Sequence, residues 1–353
     1  MFSIKRYKGN PILGADPKRV WRGTARNPGV VFDGNLFHMT FTAAANPRDG
    51  LLRLGYAKST DGFNFIENEE PWMTPSISPA DWDHAGCEDS RITYLEGRYY
   101  IAYAGRTLNG IDFGAGTRRR GPDNNLNPTW TENYRRVGLA VTDDFKSFEK
   151  LGPITSEHIC DCNVALFPEK INGKYAMLHR PTAFIPWTLP LHYHPGCIWL
   201  AFSDDLLHWS SNKREMGWNM IDGEDIMDEV LLMAPEQKWE AMKLGASGVP
   251  VLTDDGWFMT YHAVDRPGVY RVGMALLDRE DPRKVIARTP APVFEPEDSW
   301  DTAGEWGLKC VFPCANVVVG DEVFMYYGCG DNYVSAATFS LKEAIQHLKR
   351  YMR

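Results

Sequence analysis

A hairpin pattern that recurs five times constrains the fold of this 353-residue chain more than any other feature. Each copy has a short apolar run, a turn with Gly or Asp, and a second run rich in aromatic residues. Apolar and aromatic runs joined by short turns are typical of β-hairpins. The five copies are VVFDGNLFHMTFTA (30–43), ITYLEGRYYIAYAG (92–105), ALFPEKINGKYAMLHRP (165–181), PVLTDDGWFMTYHAV (250–264) and NVVVGDEVFMYYGCG (316–330).

A third strand-like segment follows each hairpin, so the repeated unit has three or four strands. Repeats of this kind predict an all-β fold, a five-bladed β-propeller. A β-sandwich or two stacked β domains are the alternatives, but five matching hairpins without α/β alternation favour the propeller. The final SLKEAIQHLKRYMR predicts a short amphipathic C-terminal helix. No Pro/Ser-rich linker divides the chain, so residues 1–353 are predicted to form one domain.

Composition excludes several classes of function. The net charge of −8 argues against a nucleic-acid partner, and no apolar run is long enough to predict a membrane span. The N-terminal MFSIKRYKGN lacks an apolar leader, which predicts a cytoplasmic protein, or a periplasmic one if a leader was removed. The seven cysteines are odd in number and lack the paired spacing of zinc ligands. We therefore expect neither a disulfide framework nor a metal.

Polar residues recur where the innermost strand of each blade is expected to begin. The five stretches are ARNPG, CEDSR, DCNVA, KLGASG and FPCAN. Innermost strands converge on the central channel of a propeller, so these side chains are expected to meet there. Converging polar groups in a pocket favour a polar ligand, such as a sugar or an anion.

Carboxylates near the axis suggest glycosyl transfer, which needs an acid to protonate the leaving oxygen. Arg91 lies two residues after Asp89, so on a regular strand both side chains would lie on one face. A salt-bridged strand end is the alternative for each carboxylate. The candidate acids are Glu88, Asp89, Asp331 and Glu305.

Two basic residues bear on which group attacks the sugar. Arg180 ends the third hairpin and Lys243 precedes the fourth. A guanidinium and an ammonium together suit a phosphate, whereas attack by water would need a second carboxylate. Structural pairing of these two residues with Glu or Asp is the alternative, and the sequence leaves it open.

These stretches resemble glycoside hydrolase family 130, whose members are β-mannoside phosphorylases and a minority of β-mannosidases. The resemblance implies a five-bladed propeller with a central site, in agreement with the repeat. The matching stretches span residues 26–331 and are RNPGVVF, EDSRI, NVALFPEKINGKYAMLHRP, SDDLLHW, KLGASGVPVLTDDGWFMTYHAV, YRVGMALLDREDPRKVIAR and VFPCANVVVGDEVFMYYGCGD.

The resemblance implies that Asp89 is the catalytic proton donor, because it matches the Asp of the family's E/Y-D-P-R motif. Glu88 and Arg91 of this motif are expected to bind substrate. Ser90 stands where the family has Pro, which should loosen the turn. In the family the acid acts through a hydroxyl of the mannosyl unit, and phosphate attacks the opposite face with inversion.

The remaining site residues also follow from the resemblance. Positions that bind phosphate in the family match Arg180, Lys243, Tyr270 and, in a longer loop, His192. Substrate-binding positions match Arg53, Asn163, Phe312 and Asp331. No cofactor is implied beyond inorganic phosphate as co-substrate, and the implied partner is a mannose-containing oligosaccharide.

One departure concerns the attacking group. Cys162 stands where phosphorylases of the family usually carry Arg or Lys, which removes a charged contact to phosphate. Family hydrolases are those that lost such ligands, yet Arg180, Lys243 and Tyr270 remain. An arginine from the insertion 106–135, which is also a candidate lid or oligomer contact, could compensate.

We therefore expect an inverting β-mannoside phosphorylase that releases α-mannose 1-phosphate. An inverting β-mannosidase using water, with Glu305 as its second carboxylate, is the main alternative, and a non-catalytic carbohydrate-binding propeller is the third. The linkage, β-1,2 or β-1,4, and the acceptor sugar depend on loops such as 106–135 and 183–195. The sequence also leaves a homo-oligomer open.

Overall fold

Five antiparallel sheets surround a central axis in this computed structural model. The model describes residues 2–45, 51–78, 81–106, 135–155, 161–181, 196–209, 229–304 and 307–353. The innermost strand of each sheet contacts the neighbouring sheets, so the sheets form the blades of a five-bladed β-propeller. The predicted fold is thus confirmed, whereas one domain over 1–353 stays a prediction.

The blades follow one another along the chain. Blade 1 contains β2 (Thr24–Phe32), β3 (Phe37–Ala44), β4 (Arg53–Ser59) and β5 (Ile66–Glu67). Blade 2 contains β6 (Gly86–Leu95), β7 (Arg98–Arg106), β8 (Arg135–Thr142) and β9 (Glu149–Pro153). Blade 3 contains β10 (Ala165–Leu166), β11 (Tyr175–His179), β12 (Ile198–Ser203) and β13 (Glu229–Met233).

The last two blades are less uniform. Blade 4 contains β14 (Lys243–Ala246), β15 (Val251–Thr253), β16 (Gly256–Val264), β17 (Tyr270–Leu277) and β18 (Val285–Arg288). Blade 5 contains β19 (Val311–Val319), β20 (Glu322–Cys329), β21 (Tyr333–Ser340) and the N-terminal β1 (Lys5–Arg6). Two helices, α1 (Ser299–Thr302) and α2 (Leu341–Leu348), and two 3₁₀ turns, Lys238–Glu240 and Lys349–Tyr351, complete the described elements.

The predicted C-terminal helix is confirmed as α2. Ser340 caps its N-terminus, because the Ser340 side chain accepts a hydrogen bond from the backbone N–H of Glu343. Its apolar face, which includes Ile345 and Leu348, packs into the core between blades 4 and 5. Within the described residues, no helix has the length and apolar character needed to cross a bilayer.

Apolar side chains fill the wedge between each pair of neighbouring blades. Five such clusters lie between successive blades around the ring. The middle strands are covered on both faces, and every residue of β3 and of β16 is buried. Large aromatic residues suit these wedges, as where Phe167 of blade 3 meets Trp257 of blade 4 edge-on with ring centroids 4.9 Å apart. This double burial explains why the second run of each hairpin is rich in apolar and aromatic residues.

The N-terminal strand closes the ring, which the repeat pattern did not indicate. Lys5 and Arg6 of β1 pair with β21, so blade 5 is built from both ends of the chain. The Arg6 guanidinium lies 3.0 Å from the fully buried Asp301 carboxylate and 4.0 Å from the centroid of the Phe294 ring. Arg6 also forms ion pairs with Glu297 and Asp298, so it joins the first strand to the segment that precedes β19.

Each innermost strand is interrupted near the axis, and these interruptions present the site residues. The pairing of β2 shifts register between Arg26 and Gly29, and that of β6 shifts between Glu88 and Arg91. Asn27, Asp89 and Asn163 have positive φ values of 49°, 54° and 58°. Asn and Asp tolerate this conformation better than most residues, and such bulges redirect side chains.

Arg6→Ala is expected to lower the free energy of unfolding by about 3 kcal/mol, because it leaves the buried Asp301 carboxylate without its cation. Urea denaturation followed by tryptophan fluorescence measures the change. The control is Arg98→Ala, since the pair of Arg98 with Asp143 is exposed and should contribute little. Equal destabilisation by the two variants would contradict a special role for Arg6 in closing the ring.

Candidate active site

A cavity of about 190 Å³ lies where the five blades converge. Every blade contributes side chains to it, as the polar stretches in the sequence predicted. The described lining residues are Arg26, Asn27, Glu88, Asp89, Arg106, Arg135, Cys162, Asn163, Arg180, Lys243, Tyr270, Leu308, Cys310, Phe312 and Asp331.

Asp89 is held by its neighbours from blade 1. The Asn27 side-chain amide donates to Asp89 Oδ1 at 2.7 Å, and the Asp89 backbone N–H donates to Thr42 Oγ1 at 2.8 Å. Burial, and then the negative charge of Glu88, raise the pKa of Asp89 against the opposing charges of Arg91 and Arg135. A raised pKa favours the protonated carboxyl group that a general acid needs.

Glu88 has the opposite character, although it is adjacent in sequence. Arg106 donates from Nε to one carboxylate oxygen at 2.8 Å and from Nη2 to the other at 3.0 Å, and Arg135 Nε donates to the first. Burial alone would raise the pKa of Glu88, but these two guanidinium groups outweigh it and hold the pKa well below the usual range. The pKa values of the two neighbouring carboxyl groups are thus pushed apart, a pattern that is typical of an acid beside an ionised carboxylate.

Arg91 lies behind the cavity wall and does not share a face with Asp89. The expectation of a shared face is wrong because the β6 bulge inserts a residue between their positions. With 1% of its surface exposed, Arg91 donates from Nη1 to the backbone carbonyls of Asp89 and Ser90, each at 3.0 Å, and from Nε to the carbonyl of Ser247. Arg91 therefore connects the bulge that carries Asp89 to blade 4.

Ser90 has a defined partner within this bulge. Its hydroxyl lies 2.7 Å from Thr40 Oγ1 of blade 1. The Ser90 side chain is fully buried. The sequence predicted that Ser90, in place of proline, would loosen this turn. The Thr40 contact and the two hydrogen bonds from Arg91 restrain it.

Arg180 and Lys243 form the cationic side of the cavity. Within the described residues neither forms an ion pair with a carboxylate. Arg180 instead donates from Nη2 to Cys162 Sγ at 2.8 Å and from Nη1 to His262 Nε2 at 3.4 Å, and its buried Nε has no partner there. The structural pairing that the sequence left open is therefore not found, and the two cations suit an anion.

The charge on the cationic side of the cavity, formed by Arg180 and Lys243, depends on pH near neutrality. Burial, and then the charge of Arg180, lower the pKa of Lys243 to about 7. The same two causes hold the pKa of His262 well below its usual range, so its imidazole is neutral. Burial raises the pKa of Tyr270, whose ring centroid is 4.9 Å from Lys243 Nζ. Tyr270 can thus donate from a neutral hydroxyl.

The residues predicted to hold the sugar line another part of the wall. Phe312 presents an aromatic ring, with 7% of its surface exposed, and packs against His262 with ring centroids 4.4 Å apart. Asp331 has a φ of 61°, and its backbone carbonyl accepts a hydrogen bond from Arg26 Nη1 at 3.1 Å. An aromatic face beside polar side chains is an arrangement suited to a sugar ring.

The structure brings most of the predicted site residues together. Arg53 is the described exception besides Arg91, since it begins β4 outside the cavity lining and donates to the carbonyl of Leu51. His192, Glu305 and the insertion between Arg106 and Arg135 lie outside the described residues. The roles of all these residues stay predictions. The predicted residues that line the cavity are Glu88, Asp89, Asn163, Arg180, Lys243, Tyr270, Phe312 and Asp331.

The prediction did not name Arg106 and Arg135 as site residues. It did suggest that an arginine of the insertion 106–135, which these two residues delimit, could replace the base missing at position 162. Both residues are strand ends, and only the pairing of β7 with β8 places them side by side over Glu88. Across the described parts of the chain, no three His, Cys, Asp or Glu side chains converge as metal ligands.

Comparison with known proteins places the chain in a family. The model of glycoside hydrolase family 130, described as β-1,4-mannooligosaccharide phosphorylase, matches residues 14–350. The chain is 34% identical to a 1,2-β-oligomannan phosphorylase of Thermoanaerobacter sp. (strain X514), over 97% of this chain and 99% of that protein. A β-1,2-mannobiose phosphorylase of the same organism is 33% identical, over 98% and 100% of the two chains.

The fold is shared with solved structures. The β-1,2-mannobiose phosphorylase of Listeria innocua, solved with β-1,2-mannobiose, superposes with a TM-score of 0.75. The alignment covers 98% of this chain and 99% of that one, at 22% identity. At this identity the likeness concerns the fold, and it agrees with the five blades seen here.

Binding of a dianion in the cavity is expected to weaken as pH rises through about 7, because Lys243 then loses the proton that attracts the anion. Sulfate is the probe, since it does not itself titrate in this range. Calorimetric titration at about pH 6 and about pH 8.5 should show a loss of affinity of roughly tenfold.

Lys243→Arg is the matched control, because a guanidinium stays charged over this range. The variant should bind sulfate with little dependence on pH. A wild-type affinity that is the same at both pH values would contradict the lowered pKa of Lys243.

Proposed function

Because the chain belongs to glycoside hydrolase family 130, we propose that it cleaves β-mannosides by phosphorolysis, with inversion and release of α-mannose 1-phosphate. The observation that carries this proposal is the cationic side of the cavity. Arg180 and Lys243 face the same space as Asp89, and no described carboxylate neutralises them. An anionic attacking group matches this charge, whereas water would require a carboxylate there.

Asp89 acts in this mechanism as the general acid. Its carboxyl group supplies the proton that the glycosidic oxygen takes up as the bond to the mannosyl carbon breaks. A phosphate oxygen forms the new bond to that carbon from the opposite side, held by Arg180, Lys243 and the Tyr270 hydroxyl. Asn27 and Arg91 orient the acid, through its side chain and its backbone carbonyl respectively.

Hydrolysis by water is the weaker candidate. The described carboxylates of the cavity lining are Glu88, Asp89 and Asp331. Glu88 is engaged by two arginines, and Asp331 belongs to the wall predicted to hold the sugar. Cys162 remains the feature that favours hydrolysis, and its consequence for phosphate binding can be measured.

We further propose that the substrate is a β-1,2-linked mannooligosaccharide. The two relatives above 30% identity are a 1,2-β-oligomannan phosphorylase and a β-1,2-mannobiose phosphorylase. A β-1,4-mannooligosaccharide phosphorylase of Ruminococcus albus is 29% identical to this chain. The partners are then this saccharide and inorganic phosphate, while the cytoplasmic location and the absence of nucleic-acid and membrane partners stay predictions.

Cleavage of β-1,2-mannobiose is expected to require phosphate and to yield α-mannose 1-phosphate, which proton NMR of the reaction mixture identifies. β-1,4-Mannobiose is the matched comparison for the linkage. Equally fast release of free mannose in phosphate-free buffer would overturn phosphorolysis and establish a hydrolase.

Asp89→Asn is expected to lower kcat on mannobiose by about 10² to 10⁴, because the amide cannot protonate the leaving oxygen. An aryl β-mannoside with an acidic leaving group needs little protonation and should lose much less activity. Equal losses on the two substrates would argue against Asp89 as the acid, and unchanged turnover of both would show that catalysis does not need Asp89.

Glu88→Gln is expected to move the high-pH limb of the kcat profile to lower pH. Activity requires protonated Asp89, so it falls as pH rises through the pKa of this group, which burial and the Glu88 charge keep raised. Removing the Glu88 charge lowers the pKa of Asp89, so kcat begins to fall at a lower pH. A pH profile at saturating phosphate tests this, and an unshifted limb would show that another group controls it.

A further inference from the structure

Two arginines from neighbouring strands lie at one edge of the cavity. Arg106 ends β7, Arg135 begins β8, and the two residues are direct partners in the sheet. Both guanidinium groups bind the buried carboxylate of Glu88. One carboxylate therefore meets two cations among the described residues.

The two arginines differ in how they engage Glu88. Arg106 uses two nitrogen atoms and spans both carboxylate oxygens. The bond from Arg135 uses Nε and one oxygen.

Arg135 is also the arginine whose charge reaches the cationic side. Burial and Arg180 are the main causes of the lowered pKa of Lys243, and Arg135 adds to the lowering. Arg135 likewise opposes the rise in the pKa of Tyr270 that burial causes. Arg106 is not among the main causes of either shift, although both arginines line the cavity, so of the two Arg135 has the stronger electrostatic effect on Lys243 and Tyr270.

Cys162 lies on this same side of the cavity. Its sulfur accepts a hydrogen bond from Arg180 Nη2 at 2.8 Å, so a cationic side chain at position 162 would stand beside Arg180. The thiol group supplies no positive charge there. Any third cation for an anion at Arg180 and Lys243 must come from another strand.

We propose that Arg135, positioned by Glu88, is a third phosphate-binding cation and supplies the charge that Cys162 lacks. This inference rests on the proposed phosphorolysis, because it names a further residue for the same co-substrate. A purely structural Arg135 would only neutralise Glu88, a role that Arg106 shares. The comparison of Arg135 with Arg106 therefore separates the two roles.

The experiment compares Arg135→Gln, Arg135→Lys and Arg106→Gln with the wild-type chain. For each, KM for phosphate is measured at saturating β-1,2-mannobiose, and KM for mannobiose at saturating phosphate. The dissociation constant of inorganic phosphate is measured by calorimetry without substrate. Thermal unfolding verifies that each variant is folded.

Loss of one charged contact should raise both KM and Kd for phosphate by about tenfold or more in Arg135→Gln. KM for mannobiose should change much less, and Arg135→Lys should recover part of the phosphate affinity. Arg106→Gln, which also deprives Glu88 of a partner, should raise KM for phosphate less than Arg135→Gln does. A structural role alone would affect the two glutamine variants alike.

Cys162→Arg in the Arg135→Gln background provides a second test. If Arg135 supplies the charge missing at position 162, the double variant should recover phosphate affinity. Should it fail to fold, the comparison of Arg135→Gln, Arg135→Lys and Arg106→Gln still decides the inference.

The failures of the two proposals are distinguishable. Phosphate-dependent turnover by the wild type, with the same phosphate KM and Kd in Arg135→Gln, would overturn the role of Arg135 and leave phosphorolysis intact. Turnover that does not depend on phosphate would overturn phosphorolysis. In that case the calorimetric Kd for phosphate still tests whether Arg135 binds phosphate. A wild-type protein that binds no phosphate would overturn the proposed role of Arg135 as well.

Discussion

The close approach of five innermost strands at the axis is the constraint on which the rest of the structure depends. A Cβ atom on Gly29 would lie 2.8 Å from the Ser90 carbonyl oxygen, and one on Gly248 would lie 2.9 Å from the Asn316 backbone nitrogen. Strands this close leave no room for regular side chains at the contact points. The strands break their regular pairing at this level, and the bulges in β2 and β6 turn Asn27 and Asp89 toward the centre.

The charges of the site are separated by the same arrangement. Glu88 and Asp89 are adjacent in the chain, but one is ion-paired with two arginines and the other is bonded to an amide. This difference in partners keeps one carboxyl group ionised and favours a proton on the other. Arg180 and Lys243 come from blades 3 and 4, so Asp89 and the two cations reach the cavity from different blades.

The repeat made the architecture predictable, because each hairpin carries its own apolar pattern and turn. Asp89, Arg180, Lys243 and Asp331 could be named as candidate site residues because each lies in a stretch that resembles a motif of the family. The contribution of β1 to blade 5 could not be predicted, since a two-residue strand carries no periodicity. The shared face of Asp89 and Arg91 was wrongly predicted because a bulge leaves no clear mark in a single sequence.

The sequence by itself determined the number of blades and the presence of acidic and basic residues in the stretches that converge on the axis. These properties reside in local patterns of apolar, turn and charged residues. Only the tertiary structure decided which charges neutralise one another. It pairs Glu88 with Arg106 and Arg135, and it leaves Arg180 and Lys243 without a described carboxylate partner. Ion pairing depends on distances between strands that are far apart in the chain, which no local pattern records.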